Sequence, residues 1–264
     1  MTYNEIGIAD AIGRLSGATF AELSQDERDL IDQFHAGGPE AVERTIAPLD
    51  AVPGQTVLDV GSGLGGPARQ LAQRTGCNVL GVDVTDEYVR SARILTAAAG
   101  LDDRVRFLCA DLAELDETGF AAAYTMHVQM NVADKKAFYA EVARRLRPEG
   151  RLAVFEVCRA GTAEATLPLP WSLDGSDSHL VTSDELRGSI EACGFSTLDW
   201  IDETEWTLQW FGRIAARLTS SPPRASLAAL LHDGPVRMMN FLAAIRSGTV
   251  SIHRGAFVLA PARA

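Results

Sequence analysis

The sequence is poor in cysteine, in aromatic side chains and in positive charge. Its 264 residues include 4 cysteines and 7% aromatic residues, and 24 Lys and Arg face 35 Asp and Glu, which gives a net charge of −11. No two cysteines form a CxxC pair, so a zinc site is not indicated and a reduced, cytoplasmic protein is the simplest interpretation. Cys109 and Cys158 lie in apolar, strand-like runs and are predicted to be small core residues.

The excess of acidic residues limits the kinds of partner that the chain can bind. A net charge of −11 argues against a nucleic-acid or acidic-membrane partner, because phosphate binding needs a basic surface. No run approaches the roughly 20 apolar residues of a membrane span. The first residues also lack the basic region and the long apolar core of a signal peptide. We therefore expect a small-molecule substrate; a homodimer is compatible with the sequence, which leaves the oligomeric state open.

Strand and helix patterns alternate from Thr56 onward. Near-continuous apolar strands separated by helices predict a parallel sheet covered on both faces, an α/β fold of the Rossmann-like kind. The later strands are separated by a long loop, by a helix that opens with a capping box from Thr182 to Glu185, and by a helical stretch. The predicted strands are residues 56–60, 78–84, 105–111, 120–128, 151–157, 196–202 and 254–260.

The pattern divides the chain into a lid, a sheet domain and a cap. Residues 1–50 are predicted to be helical and to form an N-terminal lid, and residues 51–264 to form the ligand-binding domain. A helical cap insertion is expected at about 203–250, between the sixth and seventh strands. Within it, helices are predicted over 207–219 and 237–247, broken by the sequence SSPPR.

The stretch VLDVGSGLGGPARQLA, residues 57–72, joins an apolar run to a helix start through a glycine-dense turn. Such a turn lets backbone N–H groups approach a ligand closely. Two ligand patterns overlap in it. GxGxxG, from Gly61 to Gly66, is the dinucleotide fingerprint, and DxGxGxG, from Asp59 to Gly65, is typical of S-adenosylmethionine (SAM) enzymes.

Asp83, about twenty residues beyond the turn, can bind a ribose of either ligand. Three other features distinguish SAM from a dinucleotide. Asp59 faces the same crevice, where a negative charge suits the amino group of a methionine moiety and would repel a pyrophosphate. Asp111 ends the third strand and can accept a hydrogen bond from the exocyclic amine of adenine, while Leu112 packs on the adenine ring. No Tyr-x-x-x-Lys pair follows the fourth strand, so SAM is favoured over NAD.

These motifs together resemble those of the class I SAM-dependent methyltransferases. The resemblance covers about residues 55–195 and includes the fifth-strand segment 144–157, where Glu149 stands in place of the usual glycine. It implies a seventh strand inserted antiparallel between strands five and six, and SAM as cofactor with S-adenosylhomocysteine (SAH) as product. The implied cofactor residues are Asp59, Gly61, Gly63, Gly65, Asp83, Val84, Asp111 and Leu112.

A narrower resemblance involves segments 32–42 and 126–135. They are similar to segments of small-molecule methyltransferases that act on sarcosine or dimethylglycine, or on natural products such as indole alkaloids and diketopiperazines. In these groups the N-terminal segment folds over the cofactor. The resemblance thus implies a lid at this segment of the chain.

Candidate residues for the reaction follow from their positions. His127, at the end of the fourth strand, is the candidate base or orienting group for the methyl acceptor. Gln129, two residues further along, lies on the same side of the strand as His127 if the strand continues that far. Aromatic side chains after strands five and six can form a wall for a flat ring or an ammonium. The candidate substrate-binding residues are Phe34, His35, Gln129, Trp171, His179 and Trp210, and no metal ligands are indicated.

The sequence therefore predicts SAM-dependent methyl transfer, at carbon, nitrogen or oxygen, to an aromatic or heteroaromatic natural product of secondary metabolism. Two other enzyme functions stay open. One is N-methylation of a small amine such as sarcosine or dimethylglycine, whose carboxylate would want an arginine; Arg159, Arg213 and Arg217 are candidates. The other is an NAD(P)-binding oxidoreductase. A non-catalytic protein of the same fold is the remaining alternative.

Overall fold

A single sheet forms the centre of the computed structural model, which describes residues 7–220, 223 and 225–261. The strands are β1 (Thr56–Val60), β2 (Asn78–Asp83), β3 (Val105–Cys109), β4 (Phe120–Met126), β5 (Leu146–Arg159), β6 (Phe195–Asp202) and β7 (Val250–Leu259). All seven belong to one sheet with the spatial order β3-β2-β1-β4-β5-β7-β6.

The strand directions confirm the predicted sheet. β1 pairs in parallel with β2 and with β4, and β4 pairs in parallel with β5. β7 lies between β5 and β6 and is antiparallel to both. The chain runs from β1 outward to β3 and then crosses to β4 on the other side of β1. This reversal opens a crevice at the carboxyl end of β1, where ligands bind in open α/β sheets.

Helices cover the two faces of the sheet. The successive residues Val57 and Leu58 of β1 belong to two separate apolar clusters, because neighbouring residues of a strand point to opposite faces of the sheet. None of the helices that the structure describes is long and apolar enough to cross a membrane. The helices are α1 (Ile8–Ser16), α2 (Gln25–Asp32), α3 (Gly38–Ile46), α4 (Gly66–Thr75), α5 (Asp86–Ala98), α6 (Lys135–Arg145), α7 (Ser183–Glu191), α8 (Thr204–Ser220), α9 (Leu227–Leu230) and α10 (Gly234–Arg246).

The N-terminal helices and the helices before β7 occupy the predicted places. α1, α2 and α3 precede β1, and α8, α9 and α10 lie between β6 and β7. The capping box of α7 is formed: the Thr182 hydroxyl accepts from the Glu185 N–H, and the Glu185 carboxylate accepts from the Thr182 N–H. The predicted break SSPPR includes positions 221, 222 and 224, which lie outside the described residues.

Several predicted boundaries were wrong. β5 begins at Leu146, directly after α6, because Leu146 already pairs with Phe120. β7 begins at Val250 rather than at residue 254, since its pairing with β5 extends to Arg159. Cys109 is exposed and not a core residue, because it ends β3 at the edge of the sheet, whereas Cys158 is buried.

Candidate active site

The glycine turn after β1 borders a cavity of about 520 Å³, a size typical of small-molecule sites. Gly61, Gly63 and Gly65 have φ values of +76°, +50° and +77°, in the left-handed region that glycine tolerates best. A Cβ on Gly61 would lie 2.4 Å from Cγ2 of Val128. The turn therefore lies against the segment that follows β4, at the crevice that the strand order creates.

The carboxylate of Asp83, at the end of β2, holds the glycine turn in place. Its Oδ2 accepts a hydrogen bond from the N–H of Gly63 (2.9 Å), and its Oδ1 accepts from the N–H of Thr85 (2.9 Å). Burial raises the pKa of Asp83, and these two backbone donors oppose the rise. A carboxylate offers more than one acceptor site on each oxygen. Asp83 can thus also accept from the two hydroxyls of a ribose.

Asp59 gives the cavity a buried carboxyl group. Its residue is 3% exposed, and its Oδ2 has no hydrogen-bond partner in the part of the chain that the structure describes. Burial raises the pKa of Asp59 to about 7; the Asp83 carboxylate adds to the rise, and the Tyr124 hydroxyl opposes it. A positive charge nearby would favour the ionised form. Asp59 therefore fits a ligand that brings an ammonium group.

The other end of the cavity combines an apolar wall with a carboxylate. The Oδ1 of Asp111 accepts from the N–H of Ala113 (2.8 Å), which begins a short 3₁₀ turn over Leu112–Glu114. The buried Arg145 of α6 donates to the carbonyl of Leu112 (2.7 Å) and fixes this wall. Val84, whose side chain is exposed, lines the cavity beside it. These groups fit a purine with an exocyclic amine.

The C-terminal end of α2 forms a third wall of the cavity and is joined to the glycine turn. Asp32 lines the cavity, and its Oδ2 accepts from Arg69 (2.8 Å), with both side chains 5% exposed. Arg69 also donates to the carbonyl of Leu64 within the turn (2.8 Å). A Cβ on Gly66 would lie 2.5 Å from the carbonyl oxygen of Asp32. The N-terminal segment and the glycine turn are therefore packed together without space between them.

A cluster of rings surrounds His127. Its imidazole stacks on Phe155, and the edges of His35 and Phe241 approach it at centroid distances of 6.1 and 6.0 Å. The Nε2 of His127 is buried and has no hydrogen-bond partner among the described residues. Burial lowers the pKa of His127 well below its ordinary value and that of His35 to about 4. Both rings are therefore neutral at pH 7.

The cavity brings together most of the residues singled out in the sequence. Those that line it are Phe34, His35, Asp59, Gly61, Gly63, Asp83, Val84, Asp111, Leu112 and His127. Within the described ranges, five others are not among its lining residues: Gly65, Gln129, Trp171, His179 and Trp210.

Two of these five residues are held by local packing outside the cavity. A Cβ on Gly65 would lie 2.4 Å from the Phe107 ring, so this glycine permits close packing against β3. His179 contributes its backbone: its N–H donates to the Met130 carbonyl (2.7 Å), and its own carbonyl accepts from Lys135 Nζ (2.6 Å).

The other three face neighbouring side chains or backbone. Gln129 is buried, and its Nε2 donates to the carbonyl of Val157. Trp171 is 1% exposed and packs edge-on against Phe241, with ring centroids 5.3 Å apart. Trp210 packs on Phe211 at 5.0 Å. The two tryptophans of the predicted aromatic wall thus pack against other aromatic side chains of the protein.

Sequence reasoning missed two buried carboxyl groups near the site. Glu156 lies in β5 and is fully buried beside the turn after β4. Its signal is a charged residue inside the apolar run RLAVFEV, since buried carboxylates require partners. The other is Asp32, the first residue of the segment 32–42; its Oδ1 has no hydrogen-bond partner within the described part of the chain.

The matching family model and the curated relative described next are both methyltransferases. A family model described as a methyltransferase domain matches residues 57–150. The chain is 31% identical over 189 residues to methyltransferase GfsG of Streptomyces halstedii, a match that covers 67% of this chain and 66% of that protein, slightly under two thirds of its length.

Two solved structures share the fold. A geranyl diphosphate methyltransferase in complex with SAM has a TM-score of 0.66 at 22% identity, covering 83% of this chain and 84% of that one. A putative sarcosine dimethylglycine methyltransferase from Galdieria sulphuraria has a TM-score of 0.66 at 17% identity, covering 84% and 85%. At these identities the similarity concerns the architecture.

Proposed function

We propose that the chain is a class I SAM-dependent methyltransferase and that it methylates an uncharged, largely apolar small molecule. The leading acceptor class is an aromatic or heteroaromatic natural product, methylated at carbon, nitrogen or oxygen. When bound, SAM supplies an electrophilic methyl group on a sulfonium. In-line transfer requires side chains that align the acceptor with that group and keep water out.

The cofactor is SAM, and the cavity has groups for its amino group, its ribose and its adenine. We assign its amino group to the carboxylate of Asp59, whose Oδ2 has no hydrogen-bond partner among the described residues, and its ribose hydroxyls to Asp83. The adenine would lie against Leu112, with its amine near Asp111. The backbone at Gly61 and Gly63 gives the close approach that the cofactor needs.

One observation carries the choice of acceptor: among the described residues that line the cavity there is no lysine and no arginine. A buried phosphate or carboxylate requires a paired cation, and its charge is costly without one. The cavity instead ends at the neutral rings of His35 and His127, beside the apolar side chains of Phe34 and Met126. Such walls favour a neutral acceptor with aromatic or aliphatic surface.

His127 is proposed as the group that orients the acceptor or removes its proton. Its lowered pKa keeps the imidazole neutral, which is the form that can accept a proton or a hydrogen bond. Its Nε2, which has no hydrogen-bond partner in the part of the chain that the structure describes, is the kind of buried polar atom that a ligand satisfies. Stacking on Phe155 holds the ring in one plane.

The small amine is the weaker candidate. Its carboxylate would need an arginine, and the three candidates are engaged elsewhere. Arg159 pairs with Glu185, Arg213 with Glu40 and Arg217 with Asp26, and all six of these side chains are at least 40% exposed. None of these arginines lines the cavity among the described residues.

Binding is tested first by calorimetric titration with SAH and, in parallel, with NADH. We expect SAH to bind at about one per chain and NADH not to bind. Binding of NADH alone would overturn the cofactor assignments and favour the oxidoreductase.

Acceptor choice is tested with methyl-labelled SAM and three matched sets of acceptors. One set holds neutral phenols, indoles and diketopiperazines, the second sarcosine and dimethylglycine, and the third prenyl diphosphates. We expect label only in products of the neutral set, identified by the added methyl mass. Transfer to the amino acids or the diphosphates in preference to the neutral set would contradict the proposed acceptor class.

A further inference from the structure

The carboxylate of Glu156 is joined to the chain that follows β4. Its Oε1 accepts from the hydroxyl of Thr125 (2.6 Å), and its Oε2 accepts from the N–H groups of Val128 (2.9 Å) and Gln129 (3.2 Å). Glu156 is fully buried, and so are Thr125 and Gln129. One side chain of β5 thus satisfies three donors that flank His127.

His127 itself has an unusual backbone conformation. Its N–H still donates to the carbonyl of Phe155 (2.9 Å), which extends the β4–β5 ladder by one bond, but its φ is +55°. A non-glycine residue in this region is strained and persists only where its surroundings enforce the conformation. The bonds from Val128 and Gln129 to Glu156 begin at the very next residue.

We propose that Glu156 is a positioning residue for methyl transfer: its carboxyl group fixes the turn over residues 125–129 and thereby the ring of His127 at the cavity wall. The inference rests on the proposed role of His127. Glu156 is not among the residues that line the cavity in the described chain, so it acts through the turn rather than by touching the acceptor.

The chemistry of the group explains which replacements preserve this function. Burial raises the pKa of Glu156 to about 7, opposed by its three hydrogen-bond donors and by the Lys135 ammonium. When protonated on Oε1, the group keeps Oε2 as acceptor for both N–H groups and donates to the Thr125 hydroxyl. Glutamine can replace these bonds, because its carbonyl oxygen accepts from the two N–H groups and its amide nitrogen donates to the Thr125 hydroxyl. Leucine, of similar size, leaves the N–H groups of Val128 and Gln129 without their acceptor.

The experiment compares Glu156→Gln and Glu156→Leu in the full chain, with Glu164→Leu on an exposed loop as matched control. Three quantities are measured: SAH affinity by calorimetry, kcat and KM for the acceptor, and the ring signals of His127 in ¹H–¹⁵N spectra of the SAH complex. We expect Glu156→Leu to lower kcat by about 10²-fold, as a displaced catalytic group does. SAH affinity and KM should stay within about threefold, and the His127 signals should shift or broaden.

The conservative variant decides between positioning and general stabilisation. Glu156→Gln should recover kcat to within about threefold of wild type and restore the His127 signals, because its amide remakes the bonds to the turn. A folded Glu156→Leu variant with wild-type kcat and unchanged His127 signals would overturn the inference. If Glu156→Leu does not fold, Thr125→Val removes one bond to the carboxylate. We then expect a kcat loss of about tenfold with shifted signals, and wild-type behaviour would again overturn the inference.

The spectra separate this inference from the proposed function. If the wild-type chain methylates none of the acceptors, the proposed acceptor class fails, but the ring signals of His127 still report whether Glu156 fixes its position. If His127→Ala retains wild-type kcat, the proposed role of His127 fails and the catalytic part of the inference with it. Unchanged His127 signals in Glu156→Leu, with His127→Ala inactive, would overturn the positioning alone.

Discussion

The imidazole of His127 lies parallel to the ring of Phe155, with centroids 5.6 Å apart and planes inclined by 4°. Phe155 lies in β5, and His127 directly follows Met126, the last residue of β4, which pairs with Phe155. The β4–β5 pairing therefore brings the two rings close together. Phe155 is fully buried, which leaves one face of the imidazole in an apolar environment. The stacking therefore explains both the fixed plane of His127 and the low pKa of its ring, since burial disfavours the charged form.

Removal of this ring should impair turnover much more than cofactor binding. We expect His127→Ala to lower kcat by about 10²-fold or more if the imidazole acts as base, with SAH affinity nearly unchanged. The control is His232→Ala, whose side chain is 73% exposed. Loss of SAH affinity in calorimetry would mean that His127 supports the cofactor instead, and unchanged turnover would remove it from the reaction.

The decline of kcat at acid pH should occur at a pH below the usual pKa range of histidine. Because burial lowers the pKa of His127 well below 6.5, the neutral ring persists as the pH falls through that value. We expect kcat at saturating SAM to show no histidine-type decline between about pH 7 and pH 6. A decline centred near 6.5 that disappears in His127→Ala would contradict the buried, neutral state.

Asp83 should be essential for cofactor affinity. Its carboxylate orders the glycine turn through Gly63 and is the proposed acceptor for the ribose. Loss of charge-assisted hydrogen bonds predicts that Asp83→Ala binds SAH at least about tenfold more weakly. Asp116→Ala, on an exposed loop, serves as the matched control in the same titration. Equal affinity of the two variants would undermine the ribose assignment.

Asp59 should lower the stability of the free protein at alkaline pH. Burial raises its pKa from 3.8 to about 7, so the folded state holds the proton more tightly than the unfolded chain. The stability from this group is present at acid pH and is lost as the pH rises through about 7.

Asp59→Asn should therefore melt above wild type by on the order of 5 °C at about pH 8, and by less at about pH 5, in thermal denaturation without ligand. The same variant should bind SAH more weakly, because it lacks the charge proposed for the amino group. A melting difference that does not change with pH would show that the buried charge is not the cause.

The ion pair between Asp32 and Arg69 should contribute to stability, because it is buried. Asp32→Ala leaves the guanidinium of Arg69 without its carboxylate, which is expected to cost about 3 kcal/mol in urea unfolding. The control is Asp26→Ala, which removes a pair with Arg217 whose side chains are 71% and 46% exposed, and which should cost less than about 1 kcal/mol. Equal losses would mean that burial does not govern these pairs.

The core of the fold and the cofactor residues follow from sequence because both depend on local order. Parallel strands read as apolar runs, and their carboxyl ends share one edge of the sheet, so Asp59, Asp83 and Asp111 were expected to lie close together. All three line the cavity. Strand ends were predicted less well, since residues such as Val250 belong to β7 through a partner on β5 that local sequence does not specify.

The positions of the residues predicted to bind the methyl acceptor depend on contacts between segments that are distant in the chain. Trp171 lies in a loop rich in polar and turn residues, which predicts a place in the pocket, yet it is buried against Phe241 of α10. Asp32 meets Arg69, and Glu156 meets Thr125, across long separations in the chain. No periodicity in the sequence marks such pairs.

The sequence by itself determined the order of strands and helices along the chain, the glycine turn and the carboxylates at the ends of the strands. These features follow from helix, strand and turn preferences, which depend on a few neighbouring residues. Tertiary structure alone decided which side chains surround His127, where the tryptophans point and which buried carboxyl group holds the turn. These depend on how helices and loops pack on the sheet, and packing joins residues that the sequence leaves far apart.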